Sequence, residues 1–211
     1  LLFLARQPLR LGLSDVLRRK SYPRTKFGLV AGGSLAAVAT ALALGAARES
    51  RTALICLALF AGMAALQFRA DVRGSGRSLW PEVAGASAIA WFAPAIVGVQ
   101  GLSPNGAAIL WSIVVGHSIP SLIYVRERLA RTKGSEPAAW SAIWAHAISL
   151  VLWTALIPQG FSPWLAAGAA FMFARCVWGL SSHAKPMRPA LIGATESAYA
   201  LLWVAVVAIG I

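Results

Sequence analysis

The sequence predicts an all-α membrane protein, a polytopic bundle of transmembrane helices. Of its 211 residues, 58% are hydrophobic and only 12% are charged, and the mean hydropathy is +0.69. A soluble domain carries about 25% charged residues. Apolar runs of about 20 residues, enough to cross a bilayer as a helix, recur along the chain. These runs are too long for barrel strands and lack their alternation.

The first three predicted spans are separated by charged or small polar connections. They cover residues 27–47, 52–68 and 79–99. The first contains AGGSLAAVATALALGAA, whose small residues allow helix backbones to approach closely in lipid. In the third, Pro81 lies in the opening turn, where a missing backbone N–H costs nothing, whereas Pro94 is interior and should kink the helix.

The last four predicted spans complete a set of seven. They cover residues 107–125, 137–157, 163–180 and 190–211. Pro137, Pro163 and Pro189 lie at or just before the first turn of their spans, and Pro120 is interior and should kink its helix.

Residues 1–5 form an apolar stub before the first basic segment. Leu-Leu-Phe-Leu runs into Arg6 like the last turn of a spanning helix, and no Met begins the chain. We therefore expect a fragment with a truncated N-terminus that forms one transmembrane domain over residues 1–211.

Positive charge alternates between the connections and predicts their orientation. The predicted loops 6–26, 69–78, 126–136 and 181–188 contain seven, three, four and two Lys or Arg residues. Of the connections between them, 48–51 contains two, and QGLSPNG and PQGFSP contain none. By the positive-inside rule the four basic loops are cytoplasmic. Their charges would contact anionic lipid headgroups.

Few ionisable residues fall inside the predicted spans, and each requires a partner or a wet cavity. They are Glu82, His117, His146, Arg175 and Glu196. At about 1.5 Å of rise per residue, all lie in the cytoplasmic half, and the two histidines are at matched depth in adjacent helices. The sequence therefore predicts a polar cavity that opens to the cytoplasm.

Simpler interpretations of these residues remain open. Glu82 lies in a first helical turn, where the helix dipole favours a carboxylate. Arg175 can extend its side chain to the headgroups. Glu196 is too deep for that, which suggests a functional role or an ion pair with Arg175. Paired histidines can ligate haem b, but we favour plain hydrogen bonding.

The basic loops contain a second group of candidates, for contacts with an anion or a metal. They are Asp15, Arg18, Arg19, Arg24, Asp71, Arg73, Arg126 and Glu127. Mixed charges at such short spacing usually form solvated local pairs. We expect Asp15 to pair with Arg18 and Arg19.

Several function classes are disfavoured by the sequence. The net charge of +12 could suggest nucleic acid, but the charges lie in short loops between apolar runs. Cys56 and Cys176 lie inside apolar runs and are expected to be buried thiols. No nucleophile elbow, phosphate loop, HExxH or CxxC motif occurs, so no metal site is assigned.

Four segments carry a resemblance to a known family. FLARQPLRLGLSDVLRRKSYPRT, DVRGSGRSLWPEVAGA, PSLIYVRERLAR and IGATESAYALL resemble the YwiC-like family of bacterial membrane proteins. Members usually open with a P-x-E-H-G-A-W segment and a further apolar stretch. The resemblance thus implies about nine spans in the intact protein, but no established activity.

That span number is similar to UbiA-type prenyltransferases, which hold magnesium and an allylic diphosphate on two Asp-rich loops. Here the corresponding loops offer only Asp15 and Glu127, too few ligands for diphosphate-bound Mg²⁺. Arginines could still hold an anionic headgroup without metal.

We therefore favour a non-catalytic protein, either an accessory subunit of a larger membrane complex or a module that binds a lipid, a quinone or an isoprenoid. The alternatives are a degenerate UbiA-like prenyltransferase, which would need Mg²⁺, and a small-solute or proton-coupled transporter.

Overall fold

A computed structural model of the chain describes residues 2–76, 78–135, 139–185 and 187–210, and over these ranges the fold is helical without strands. The helices are α1 (Leu2–Leu17), α2 (Pro23–Ala47), α3 (Arg51–Val72), α4 (Leu79–Ala90), α5 (Phe92–Val99), α6 (Pro104–Thr132), α7 (Ala139–Leu156), α8 (Pro163–Leu180) and α9 (Pro189–Gly210). A 3-10 turn, Ile157–Gln159, extends α7. The all-α prediction is confirmed.

Seven helical segments are long and apolar enough to cross a membrane. They are α2, α3, the pair α4 and α5, α6, α7 with its 3-10 turn, α8 and α9. The seven predicted spans are thus confirmed, although Pro137 and Ile211 lie outside the described residues. Helix α4 ends before Trp91, one turn ahead of Pro94, whose missing N–H removes the bond to the carbonyl four residues earlier. Helix α6 is continuous through Pro120.

The main correction concerns the basic segment 6–26, which we predicted as a loop. It is largely helical, because α1 continues to Leu17 and α2 begins at Pro23. The predicted loops 69–78 and 126–136 likewise begin inside α3 and α6. Hydropathy marks where a helix becomes polar, and Arg, Lys and Glu are good helix formers, so the helices continue past their apolar parts. The loop 181–188 connects α8 and α9, with Pro186 outside the described residues.

Contacts divide the chain into two compact units, Leu1–Ser112 and Ile113–Ile211. In the first unit, α1 and α2 form a close hairpin. A methyl group at Gly28 would lie 2.7 Å from the carbonyl oxygen of Pro8, and one at Gly32 would lie 2.9 Å from the backbone nitrogen of Leu9. These two glycines, four residues apart on one face of α2, allow the backbones to touch.

In the rest of the first unit, a hydrogen bond and an apolar cluster join α3 to the later helices. The Ser50 hydroxyl donates to the Gly98 carbonyl at 2.6 Å and accepts from the Ala53 N–H at 3.2 Å. Trp91 stacks on Trp111 with ring centroids 5.0 Å apart. The buried cluster around these rings also contains Cys56, Ala95 and Ala107.

The second unit has two buried clusters. One contains Ile113, Trp153, Leu165, Ala169, Met172 and Trp203. The other contains Tyr124, Ala142, Cys176 and Leu180. Both cysteines of the chain are buried free thiols, as expected. The single-domain expectation stays a prediction.

Candidate functional site

The site of the second unit begins on one face of α6. Its polar members are His117, Ser121, Tyr124, Arg128 and Arg131, which follow one another at alternating intervals of four and three residues. Side chains at these intervals lie on one face of a helix. The arginines lie in the last turns of the helix, and His117 lies deepest in the apolar span.

Arg175 of α8 is a buried cation of this unit. Its Nη1 donates to Oε1 of Glu196 on α9, forming the ion pair that the sequence suggested. Its guanidinium carbon lies 4.3 Å from the Tyr124 ring centroid and 4.5 Å from that of Tyr199. The side chains of Arg175 and Glu196 are only 8% and 14% exposed. The aromatic faces and the carboxylate compensate for burying the charge.

This compensation is incomplete. Arg175 Nε and Nη2 and Glu196 Oε2 are buried without a hydrogen-bond partner among the described residues. Elsewhere in the chain, the same guanidinium edge is fully used: Arg6 donates from Nε and Nη2 to Oδ2 of Asp71 at 2.8 and 2.6 Å. That edge is the fork that binds carboxylate or phosphate bidentately. Arg175 therefore keeps an unused anion-binding edge.

Arg175 lines a cleft of about 620 Å³, which we call the cationic cleft. Its walls come from α6, α8, α9 and the loop between α8 and α9. Besides Arg175, its charged lining residues are Arg128, Lys185, Arg188 and Glu196. Four cations against one carboxylate give the cleft a net charge of +3, which favours an anion.

Two arginines of α6 bind the end of α8 beside this cleft. Arg128 donates to the carbonyl of Gly179 at 2.7 Å and to that of Lys185 at 3.4 Å. Arg131 donates to the carbonyls of Leu180 and Ser181 at 2.8 Å each. The last carbonyls of a helix have no partner within it, and cationic side chains can satisfy them. These bonds therefore hold the end of α8 and the following loop against α6.

The histidines occupy a different cavity. His117 and His146 both line a space of only about 10 Å³, about the size of a single water molecule. His146 Nδ1 lies 2.9 Å from the carbonyl oxygen of Ala142, and because a carbonyl only accepts, this nitrogen donates. His146 Nε2 and Trp203 Nε1 are buried without a partner among the described residues. His117 stacks on Trp203 at 5.4 Å.

The predicted polar cavity is therefore distributed over two spaces. His117 and His146 line the small one, and Arg175 and Glu196 line the cationic cleft. Glu82 belongs to the first unit, where it is half-buried in the first turn of α4, a position that the helix dipole favours.

Two carboxylates have partners other than their nearest basic neighbours in the sequence, and for Asp15 this corrects our prediction. Asp15 accepts hydrogen bonds from the Thr25 hydroxyl at 2.9 Å and from Arg24 Nε at 3.4 Å, rather than from Arg18 or Arg19. The short connection places the first turn of α2 beside the end of α1, so these partners are nearer. Asp71 pairs with Arg6, 65 residues earlier, rather than with Arg73, because α1 lies against α3.

The hydrogen bond from Thr25 and the charges of Arg24 and Arg18 hold the pKa of the Asp15 carboxyl below its usual range, despite some desolvation. The carboxylate is therefore ionised at neutral pH. It stabilises the turn between α1 and α2 as an anion.

The remaining loop candidates have local structural positions. Arg19 adopts a left-handed conformation (φ 54°) just after α1, and Arg73 follows the last residue of α3. Arg126 and Glu127 lie in α6, and the Ser141 hydroxyl donates to Glu127 Oε1 at 3.3 Å. Among the described residues, no three His, Cys, Asp or Glu side chains are grouped as a metal site.

Several residues of the cleft were not among the sequence candidates. They are Tyr124, Arg128, Lys185, Arg188 and Tyr199. The spacing of polar residues along α6 was a usable signal, since it places Tyr124, Arg128 and Arg131 on the face of His117. We had assigned these arginines to membrane orientation alone.

Comparison with known proteins adds a family for the first part of the chain. Residues 1–97 match the model of the YwiC-like protein family. This match confirms the YwiC-like resemblance over that range, whereas the segments PSLIYVRERLAR and IGATESAYALL lie beyond it. No curated protein and no solved structure matches the chain. The cleft residues therefore lie outside the YwiC-like match, and their role must be argued from their geometry.

Proposed function

We propose that this multi-pass membrane protein binds an amphipathic anion, a lipid or isoprenoid with a phosphate or carboxylate head, in the cationic cleft, without transforming it. The observation that carries the proposal is Arg175, a buried arginine at the cleft wall whose Nε and Nη2 have no partner among the described residues. A buried donor without a partner costs about 1–3 kcal/mol, so a head that accepts from both nitrogens is favoured.

The surroundings of Arg175 support an anionic rather than a neutral head. Arg128, Lys185 and Arg188 line the same cleft, and Glu196 already occupies Arg175 Nη1. The guanidinium carbon of Arg175 lies 4.3 and 4.5 Å from the Tyr124 and Tyr199 ring centroids, and these ring contacts leave its Nε and Nη2 without a hydrogen-bond acceptor among the described residues. An oxyanion bound there would complete the bonds of a cation that is already held in place.

We further propose that the cleft opens at the cytoplasmic side of a bacterial inner membrane. The support is the distribution of charge: the cleft lies where α6 and α8 end and α9 begins, next to the basic segments 126–136 and 181–188. Cytoplasmic leaflets are rich in anionic lipids, which basic segments attract. This location would give the cleft direct access to its ligand.

Binding is better supported than prenyl transfer. Transfer from a diphosphate requires carboxylates free to hold metal ions. In the first unit Asp15 is engaged by Thr25 and Arg24, and Asp71 by Arg6. The unused arginine edge also distinguishes a lipid-binding module from an accessory subunit, since a purely structural subunit has no need of it.

The proposal is tested by native mass spectrometry of the protein released from phosphatidylcholine nanodiscs with dodecyl phosphate or dodecanol. We expect dodecyl phosphate to bind and dodecanol not to. Arg175→Gln should weaken phosphate binding by about 10- to 100-fold, the equivalent of one charged hydrogen-bonded contact. Arg48→Gln, on a side chain that is 77% exposed in the first unit, is the matched control and should bind normally.

Other outcomes would overturn the proposal. Equal binding of dodecanol and dodecyl phosphate, or full binding by Arg175→Gln, would remove the anion site. Consumption of farnesyl diphosphate in the presence of Mg²⁺, lost on adding a chelator, would show that the protein is a transferase instead.

A further inference from the structure

A second groove lies along the same two helices as the cationic cleft, and we call it the apolar groove. It has a volume of about 190 Å³. Ala167, Gly168 and Phe171 of α8 and Leu202, Trp203 and Val206 of α9 form most of its lining. None of its lining residues is charged. Phe171 is 47% exposed and Leu202 is 45% exposed, so the groove opens outward from the helix pair.

The apolar groove continues the cationic cleft along the helices. On α8 the cleft is lined by residues within 175–179 and the groove by residues within 164–172. On α9 the cleft is lined by residues within 191–199 and the groove by residues within 202–206. The Phe171 and Tyr199 rings lie at the junction with centroids 5.9 Å apart, one lining each space. A charged end and an apolar end therefore share one seam between α8 and α9.

Side chains of α9 that pack closely on α8 limit the size of the groove. A methyl group at Gly168 would lie 3.0 Å from Val206 Cγ1 and 3.1 Å from the Trp203 ring. The small residues of α8 bring α9 close at this level, and the larger side chains of α9 form the walls. The groove has less than a third of the volume of the cleft, 190 against 620 Å³. This shape suits one slender chain rather than the two chains of a phospholipid.

We propose that the apolar groove holds the tail of the same ligand whose head binds Arg175, so that the ligand is a single-chain amphiphile with a phosphate end, such as an alkyl or polyprenyl phosphate. This inference rests on the proposed function. From Glu196 to Val206 is ten residues of helix, about 15 Å, which sets the reach of the tail. The charge of the cleft and its continuity with the groove select this occupant over a second protein or a neutral lipid.

The first test measures how binding depends on chain length, using butyl, octyl, dodecyl and farnesyl phosphate in nanodiscs with native mass spectrometry. Burying two methylene groups corresponds to a gain of about tenfold. We therefore expect dodecyl phosphate to bind at least about tenfold more tightly than butyl phosphate. Comparison of the dodecyl and farnesyl arms distinguishes an alkyl from an isoprenoid ligand.

A pair of matched variants locates the tail. Ala167 lines the groove and is exposed, so Ala167→Trp should fill it and abolish the gain with chain length. Ala170 is also exposed on α8 but does not line the groove, and Ala170→Trp should keep the full gain. A gain that persists in Ala167→Trp would overturn the tail site.

A second measurement uses the wild-type chain, so its result does not depend on whether a variant folds. Dodecyl phosphate carrying a diazirine at its tail end should crosslink to residues 164–172 or 202–206 after illumination. Crosslinks confined to other segments would overturn the tail site even if the head binds. If butyl and dodecyl phosphate bind equally, only the tail inference fails, whereas no binding of any phosphate would remove the proposed function itself.

Discussion

At the scale of single residues, Arg175 shows how a buried charge can be stabilised and still keep hydrogen-bond donors for a ligand. Its ion pair with Glu196 and its contacts with two tyrosine rings offset the loss of water, but two of its nitrogens have no hydrogen-bond partner among the described residues. Removal of one member of such a pair costs more than removal of both, since the survivor remains buried and uncompensated.

A double-mutant cycle on this pair should show strong coupling. Arg175→Gln alone should destabilise the protein by about 3–5 kcal/mol, because Glu196 is left without its cation, and adding Glu196→Gln should restore part of the loss. Denaturant unfolding in detergent measures each free energy. The pair Arg48 and Glu49, 77% and 84% exposed, is the control, and its coupling should be about 0–1 kcal/mol. Additive effects at Arg175 and Glu196 would contradict a functional ion pair.

Asp15 should make the first unit sensitive to acid in a defined direction. Its pKa is lowered in the folded state by the Thr25 hydroxyl and by Arg24 and Arg18, so its contribution to stability is complete above the ordinary carboxyl pKa and is lost as pH falls through the lowered pKa. The difference in unfolding temperature between the wild type and Asp15→Asn should therefore be constant from pH 7 to about 5 and disappear in stronger acid. The exposed Glu49→Gln is the control. A difference that grows as pH falls would contradict this assignment.

At the scale of elements, the hairpin of α1 and α2 depends on where glycines face. Gly28 lies against the backbone of α1, and a backbone oxygen cannot move aside as a flexible side chain can. Gly33, five residues later, has nothing within 4 Å of a methyl group built there. The same substitution should therefore have opposite effects at the two positions.

We expect Gly28→Ala to destabilise the hairpin by about 1–3 kcal/mol through overpacking. Gly33→Ala should be neutral or stabilise by up to about 1 kcal/mol, because it removes the entropic cost of a helical glycine. Thermal unfolding in one detergent measures both. A loss at Gly33 as large as that at Gly28 would show that helix propensity, rather than close approach, sets the effect.

The end of α8 should become more dynamic when its last carbonyls lose the hydrogen bonds from Arg131 of α6. Arg131 donates to two carbonyls from one guanidinium, which a Lys ammonium cannot reproduce in the same fork. Arg131→Lys should therefore speed amide hydrogen exchange in residues 181–185, whereas Arg51→Lys, an exposed change in α3, should not. Unchanged exchange in this segment would contradict the capping role.

The comparison of sequence and structure is also clearest at the level of elements. The limits of α8 were predicted to the residue, because Pro163 begins it and polar residues end it. Helix α1 was missed, because a hydropathy scale scores its arginines as polar and so favours a loop, even though Arg is a good helix former. The pairing of Arg6 with Asp71 had no local signal, since the two residues meet only through the packing of α1 on α3.

At the scale of the whole molecule, the charge of +12 is concentrated in connections that alternate along the chain. The sequence could predict this alternation, because it depends on composition alone. It could not predict the cationic cleft. Arg128 and Arg131 belong to the basic segment 126–136, and they also donate hydrogen bonds to carbonyls at the end of α8, which the charge pattern does not reveal. Residues that contribute to the orientation of the chain in the membrane can thus also contribute to a binding site.

The orientation itself can be measured by labelling single cysteines with a membrane-impermeant maleimide. If each of the seven candidate spans crosses the bilayer, Tyr22 and Lys133 should face the cytoplasm, and Asn105 and Gln159 should face outward. All four positions are exposed, so the reagent can reach them. Asn105→Cys and Gln159→Cys should label in intact cells, and Tyr22→Cys and Lys133→Cys should label only after permeabilisation.

The native thiols do not obstruct this experiment, since Cys56 and Cys176 are buried and can be replaced by Ala in the background. Reversal of all four positions would keep the seven spans but place the cationic cleft on the outer face, where the ligand would have to come from outside the cell. Labelling of Tyr22→Cys and Lys133→Cys from opposite sides would exclude the alternation of spans. The assignment of the cleft to the cytoplasm depends on that alternation together with the positive charge of its rim.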